Sequence, residues 1–599
     1  MLGLTLKFIF LLLILFGLAQ FFSYRLKMKS EFLPVTVLTG IGIMLFIAGL
    51  LNIMPETVKL LIAFSLGSLV YVFWKKKSFE NIFSNGMIFF LLGSVYLAFF
   101  LSNMPLEYYD DFSHWGLIVK EMLWTDRLPN FSSNTILFQS YPPGTAVLLY
   151  FIGKILGDTE GIMLFGQGML YLSCITPMFA LLRKRKFLGW LLVVPVTLYF
   201  LTGNLGIVAL SVDTALSLLG IAGTAILIYF YREKCLVDAI LPLMLITTYV
   251  NVVKNSGIMF VVILVGLYFA LILKERVVKR STAIGGMLIM VTPLLFKFLW
   301  DKHVKLVFAD GSSTKHAMSV ENYKNVFGEK PTESVFQITK DLLWSSVNIQ
   351  STEIKIFVII LVTVGLILIL KKMNVVAGIK EAVVLPHRKE CGLLLFMIGI
   401  YIAYQLGLWA TYVFSMPLAE AVVLASYNRY NTTIIMYLLG VALIYFLVEL
   451  DQMEQKPVAL KAATVGISFV LVLVPVFLAN EVVQNLFVKK DYTGSYKTHL
   501  HSIVQENQLT GESAYILYVG DYVGTGYSQD YLYYLSSYEL QTRNVSVMHA
   551  ETINDLGELT GPFKFIVLRD DPKVSNKLKQ YGIIDYEPDT VILLNEGGK

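Results

Sequence analysis

The 599-residue chain reads as an α-helical polytopic membrane protein of about fourteen spans with a small extracytoplasmic C-terminal α/β domain. Three observations predict this. Hydrophobic residues make up 56% of the chain and charged residues 15%, where a soluble domain carries about 25% charged. Apolar runs of roughly 20 residues, the length that crosses a bilayer, recur as far as residue 480. After residue 480 charge rises, and short strand-like runs replace the long apolar ones.

The same composition excludes other classes. The formal net charge is only +5, and the basic residues sit in short clusters at the ends of apolar runs. Such clusters mark cytoplasmic loops and do not form a nucleic-acid surface. Cys174, Cys235 and Cys391 show no ligand-like spacing, so neither a disulfide framework nor a zinc site is indicated. The N-terminus is apolar almost from its first residue, without a charged leading region or a small-residue cleavage site, and reads as a retained span.

Basic clusters orient the spans. Arg25, Lys27 and Lys29 close the first, and Lys75, Lys76 and Lys77 the third. Arg183 to Lys186, residues 274–280, Lys371 with Lys372, and Arg388 with Lys389 mark later inner loops. Threading the chain through them puts the N-terminus outside and places residues 105–160 in a first outer loop. Two apolar runs, 142–156 and 161–182, separate the acidic part of that loop from Arg183. Two crossings would put the basic cluster outside, and the first run is short for a span. Residues 142–156 therefore read as a helix at the outer membrane surface or partly re-entrant, opened by Pro142 and Pro143, which suit a first turn. A second outer loop covers 301–350, and the last spans are 431–449 and 460–480. Residues 481–599 form the α/β domain, with strands expected at 514–519, 545–549, 565–568 and 591–594 and helices at 497–508 and 571–581. The glycines of 520–526 do not match a dinucleotide fingerprint.

Polar chemistry concentrates in a few outer places. The first loop carries YYDDFSHWG, with Asp110, Asp111, His114 and Trp115, and about thirty residues later Tyr141 precedes the proline pair. Lys254 lies in VNVVKNSG near an outer helix end, and Asp213 sits in the apolar run ALSVDTALSLLG. An acid in such a run is costly and marks function by default. Arg429 and Tyr430 head a late span, and Lys315 and His316 lie in the second loop.

The order of these features resembles the GT-C superfamily of membrane glycosyltransferases, which includes protein O-mannosyltransferases, lipid A aminoarabinose transferases and the bacterial RgtA/B/C/D-like enzymes. The resemblance rests on the acidic pair, the Tyr-Pro-Pro entry, the span closed by Arg183 to Lys186, the Arg429-Tyr430 pair and the extracytoplasmic C-terminal domain. It covers about four fifths of the chain, residues 1–480 being the catalytic region. Many members have Asp-Glu where this chain has Asp-Asp. The resemblance implies transfer of a sugar from a polyprenyl-phosphate donor to a cell-envelope acceptor such as a polysaccharide, teichoic acid or glycolipid. The reaction would run on the outer face of the plasma membrane, usually with inversion.

Such a site needs a base, cations for the departing phosphate and a groove for the isoprenoid. Asp110 is the expected base, since a carboxylate at the membrane surface accepts the acceptor hydroxyl's proton; the bland reading is a helix N-cap. Asp111 orients that base, binds a cation or caps the same helix. Arg429 is the expected phosphate ligand, its planar fork suiting phosphate oxygens, with Lys254, Lys315 and His316 as further candidates. Asp213 pairs with Lys254 or contacts the sugar. His114, Trp115, Tyr141 and Tyr430 are candidates for substrate contact, although aromatics at this level also serve as a membrane belt. Some superfamily members use a divalent ion such as Mg or Mn and others do not; Asp110, Asp111 and His114 would hold one. Two other functions fit the same features less fully: a polysaccharide polymerase or ligase using a diphosphate-linked donor, and a lipid-linked sugar flippase. A flippase needs polar or broken-helix features near mid-membrane, whereas the polar residues here gather at the outer ends.

Overall fold

The computed structural model describes residues 2–130, 133, 135, 136, 138–275, 279–308, 324, 327, 328, 330–376, 387–455, 457–488, 491, 492, 495–511, 513–519, 528–548, 563–568 and 591–594. Lys315, His316 and the expected helix at 571–581 lie outside them. By its contacts the chain forms two compact units. The first comprises Met1–Met104, Thr125–Leu128 and Phe138–Val488; the second comprises Pro105–Trp124, Pro129–Leu137 and Lys489–Lys599.

The first unit is a bundle of helices. Among the described residues, 13 helices are long and apolar enough to cross a membrane. A shorter apolar helix, Asn85–Leu101, stands where the fourth expected span falls, so the fourteen expected spans each find a helix. The helices begin and end for local reasons. Pro34 opens α2 (Leu33–Leu50), following α1 (Leu2–Leu26). α3 (Met54–Lys76) stops where Lys77 turns left-handed at φ 60°. Ser84 caps α4 (Asn85–Leu101) by accepting from the Met87 amide.

After α5 (Gly116–Thr125), which belongs to the second unit as far as Trp124, the bundle continues as α6 (Gly144–Leu156), α7 (Glu160–Ile175) and α8 (Lys186–Thr202). Next come α9 (Asp213–Arg232), α10 (Ile240–Val253), α11 (Ile258–Glu275) and α12 (Arg280–Val307). It closes with α13 (Thr332–Val347), α14 (Thr352–Val376), α15 (His387–Phe414), α16 (Tyr427–Asp451) and α17 (Val458–Leu478).

Polar contacts sort the loops into two ends. At one end Arg232 pairs with Asp451 at 2.7 Å, the Arg183 amide donates to Asp451 at 2.7 Å, and Thr176 donates to the Glu31 carbonyl at 2.6 Å. Lys371 pairs with Glu390 at 2.6 Å and Glu449 at 2.7 Å. These are the loops that the basic clusters mark as inner. Loops expected outside meet one another instead: Lys254 reaches Asp213, Asn204 reaches Thr433, and Trp300 donates to the Ser140 carbonyl.

The short helix α6 narrows one expectation, that of a surface or partly re-entrant helix. A helix lying on a bilayer surface leaves one face open, yet here every residue but Lys154 is buried. α6 is enclosed by α1, α2, α7 and α10. Gly144 makes the close approach possible, because a Cβ there would sit 2.4 Å from the Val252 carbonyl oxygen. Lys154, its exposed residue, pairs with Asp126 at 2.6 Å.

The second unit joins part of the first outer loop to the C-terminal segment. Its sheet has the order β2-β1-β3-β4, with β1 (Ala514–Val519) parallel to β2 (Val545–Met548) and β3 (Phe563–Leu568), and β4 (Val591–Leu594) antiparallel to β3. Tyr515 registers with Val545 and Lys564. All four strands fall where the sequence expects them. α18 (Tyr496–Glu506) matches the expected helix at 497–508, whereas α19 (Gln529–Leu540) was not expected. α19 is a tyrosine-rich helix fixed at its ends: the Ser528 hydroxyl accepts from the Tyr531 amide, and Gln541 stops it at φ 56°.

Candidate functional site

Three of the candidate charges converge at the end of the bundle whose loops the sequence expects outside, and the Asp213–Lys254 pairing is one of the two expected for Asp213. Asp213 is the first residue of α9, Lys254 is the extended residue between α10 and α11, and Arg429 lies in the first turn of α16. Lys254 Nζ donates to Asp213 Oδ1 at 2.8 Å, and Arg429 Nε lies 3.2 Å from Oδ2. The Asp213 side chain is 4% exposed, against 12% for Lys254 and 22% for Arg429, so the two cations hold the open side. The Tyr430 ring lies beside both, 5.1 Å from Lys254 Nζ and 5.5 Å from the Arg429 guanidinium carbon. One buried carboxylate thus holds two cations side by side with their geometry set.

The backbone around this group is unusual. Asn204, Leu205 and Gly206 all have positive φ, at 54°, 72° and 60°. A Cβ on Gly206 would lie 1.9 Å from the Leu201 carbonyl oxygen, so the turn requires glycine there. Asn204 donates to Thr433 Oγ1 at 3.0 Å, and Ser217 donates to the Thr433 carbonyl at 2.6 Å, which ties the turn and α9 to α16. Leu424 and Ser426, just ahead of Arg429, are also left-handed, at φ 46° and 62°. Strained turns therefore flank the ion group on both sides, the kind of backbone found at functional sites.

The acidic pair belongs to the second unit. Residues Asp111–Trp115 form a single π-helical turn, and Asp110 flanks it without a side-chain capping hydrogen bond. The N-cap reading of Asp110 is therefore not what the geometry shows. Asp110 is half-buried, while Asp111 is 0% and His114 1% exposed. Trp115 is buried as well, Tyr141 in the first unit is half-buried and stacked on Phe138, and Trp124 is the open indole at 72% exposure. Among the described residues no three or more His, Cys, Asp or Glu side chains gather to hold a metal ion, so Asp110, Asp111 and His114 do not make such a set.

C-terminal helices hold this acidic turn. Phe112 packs edge-on against Tyr531 at 5.6 Å and against Tyr538 at 5.4 Å. Lys497 of α18 stands 4.8 Å from both the Phe112 and Tyr538 rings and pairs with Glu539 at 3.4 Å. Lys120 of α5 donates to the Tyr538 carbonyl at 2.9 Å, and Tyr531 donates to the Glu107 carbonyl at 3.2 Å. The C-terminal members of this set, Lys497, Tyr531, Tyr538 and Glu539, did not stand out in the sequence. Lys497 and Glu539 look like ordinary surface charges until folding encloses them at 4% and 2% side-chain exposure.

Burial alone pushes the Glu539 carboxyl up, but the hydrogen bond with His501 at 2.9 Å and the charges of Lys497 and Lys120 outweigh it, pulling the pKa down to about 2. A carboxylate depressed in the folded state contributes stability above its unfolded value of 4.5 and loses it as pH falls towards 2. Near-ultraviolet dichroism of the tyrosine-rich second unit should therefore hold steady above about pH 4.5 and decay across that window. Glu539→Gln should flatten the decay; an unchanged acid profile in that variant would contradict the assignment.

No family model matches the sequence, and no curated protein matches it. A solved structure of ArnT from Cupriavidus metallidurans bound to undecaprenyl phosphate aligns with 85% of this chain and 97% of that one, at 11% identity and a TM-score of 0.35.

Proposed function

We propose that the protein is a membrane glycosyltransferase that moves a sugar from a polyprenyl-phosphate carrier to an extracytoplasmic cell-envelope acceptor. The observation that carries this reading is the Lys254–Asp213–Arg429 group with Tyr430, a set of oriented cations at one end of a membrane bundle. Phosphate on a lipid carrier is presented at that depth, where a guanidinium fork and an ammonium suit its oxygens. Asp213 fixes both cations before the donor arrives, so little reorganisation remains at the moment of reaction.

In the reaction the acceptor hydroxyl oxygen bonds to the anomeric carbon as the bond from that carbon to the phosphate oxygen breaks. The electron pair leaves with the phosphate, whose growing charge Lys254 and Arg429 stabilise. The hydroxyl proton goes to a carboxylate, the role for which Asp110 of the acidic pair is the candidate. Inversion follows from a single displacement.

The test is glycosidic-bond formation by the purified full-length protein with polyprenyl-monophosphate-linked and polyprenyl-diphosphate-linked sugars, with and without a chelator. Transfer from monophosphate donors is expected. Transfer from diphosphate donors alone would replace this reading with that of a polymerase or ligase, and the chelator arm decides whether a divalent ion takes part.

A further inference from the structure

A second group of cations lies at the opposite end of the same bundle, outside the reaction described above. α9 begins at Asp213 and ends at Arg232, and its 20 residues span about 30 Å, close to the thickness of a hydrocarbon core. Beyond Arg232 a cavity of 860 Å³ is lined by Arg183, Arg232, Lys234 and Lys279, with Tyr231 and Thr282 among its other walls. The four cations come from three separate stretches of chain.

Two of them are held in place. Arg232 donates to the Leu181 carbonyl at 2.9 Å and pairs with Asp451 at 2.7 Å, and Arg183 pairs with Glu233 at 2.5 Å. Lys234 sits on a left-handed turn at φ 58°. Lys279 is the N-cap of α12 and supplies no side-chain cap, so the positive end of that long helix also borders the cavity. Among the described residues, Asp451 and Glu233 pair with Arg183 and Arg232 only, so two acids face four lining cations. Residues that merely orient a membrane protein splay into the headgroup layer; these surround one space of a size that admits a phosphate and its substituents.

We propose that this cavity binds a phosphate-bearing anion, supplied by an anionic phospholipid of the inner leaflet or by soluble phosphate. The membrane context and the level of the cavity, one span away from Asp213, favour the lipid headgroup.

The test titrates the purified full-length protein in neutral detergent with phosphatidylglycerol, phosphatidylcholine or inorganic phosphate, following the thermal midpoint. Phosphatidylglycerol should raise the midpoint and phosphatidylcholine should not. In the Lys234→Gln, Lys279→Gln double variant, half-saturation should need about thirtyfold more phosphatidylglycerol. Both residues are peripheral to the packed helices and to the Asp213 group, so basal sugar transfer should be unchanged. A midpoint raised equally by inorganic phosphate would support the anion site and assign it to a soluble ligand. An equal response to phosphatidylglycerol in wild type and double variant, or an equal response to both lipids, would overturn the proposal.

Discussion

Asp110→Asn should lower sugar transfer about 10²- to 10⁴-fold, the usual contribution of a positioned general base, while the protein stays folded. The substitution keeps the shape of the side chain and removes its basicity. It takes no capping hydrogen bond from the π-helical turn, because Asp110 makes none. The residue is half-buried, beside an Asp111 that is fully enclosed, so it is the member of the pair that an acceptor can reach. Transfer and thermal midpoint should be measured on the same preparation. Wild-type transfer in a folded Asp110→Asn protein would remove the base from the mechanism; loss of both readouts would indicate a structural role instead.

Asp213→Ala should destabilise the bundle by about 3–5 kcal/mol, the cost of breaking a buried ion pair by removing one partner. Lys254 and Arg429 would then face each other across the space the carboxylate fills, with the Lys254 hydrogen bond of 2.8 Å lost. The effect exceeds that of an exposed pair, worth about 0–1 kcal/mol, because the carboxylate is 4% exposed. Adding Lys254→Met should recover part of the loss, as it removes one of the stranded charges. Denaturant unfolding of the single and double variants reads this coupling directly. An Asp213→Ala change below about 1 kcal/mol would show that the three residues do not act as a unit.

Much of the membrane fold was legible because its signal is local. Run length and the basic residues at run ends place each span, and the loops bearing Arg183 and Arg232 meet at Asp451 as the basic clusters imply. Asp213, Lys254 and Arg429 were each visible as a charge at the edge of an apolar run. The Asp213–Lys254 pair was one of two readings of that acid, but the joining of Arg429 to it was not legible, because it links positions 216 residues apart along a path that only packing determines. For residues 142–156 the sequence leaves a surface helix and a partly re-entrant one both open for a related reason: length does not say whether protein or lipid covers the helix. α19 escaped notice because QDYLYYLSSYEL lacks an aliphatic stripe of helical period, and its stability comes from its cap and from tyrosines packed on Phe112. With α19 hidden, the partners of the acidic turn were hidden as well.

The hydrogen bond from Lys120 to the Tyr538 carbonyl joins residues 418 positions apart. At about 5–20 residues per second, a ribosome needs roughly 20–80 seconds to travel between them. For that interval the acidic turn has emerged and its tyrosine partners do not yet exist. Phe112, packed on Tyr531 and Tyr538 in the finished protein, must wait without them until the last part of the chain arrives. The acid-bearing loop is thus completed after nearly all the spans have been made, and a chain cut short by a stalled ribosome carries the acids without the structure that holds them.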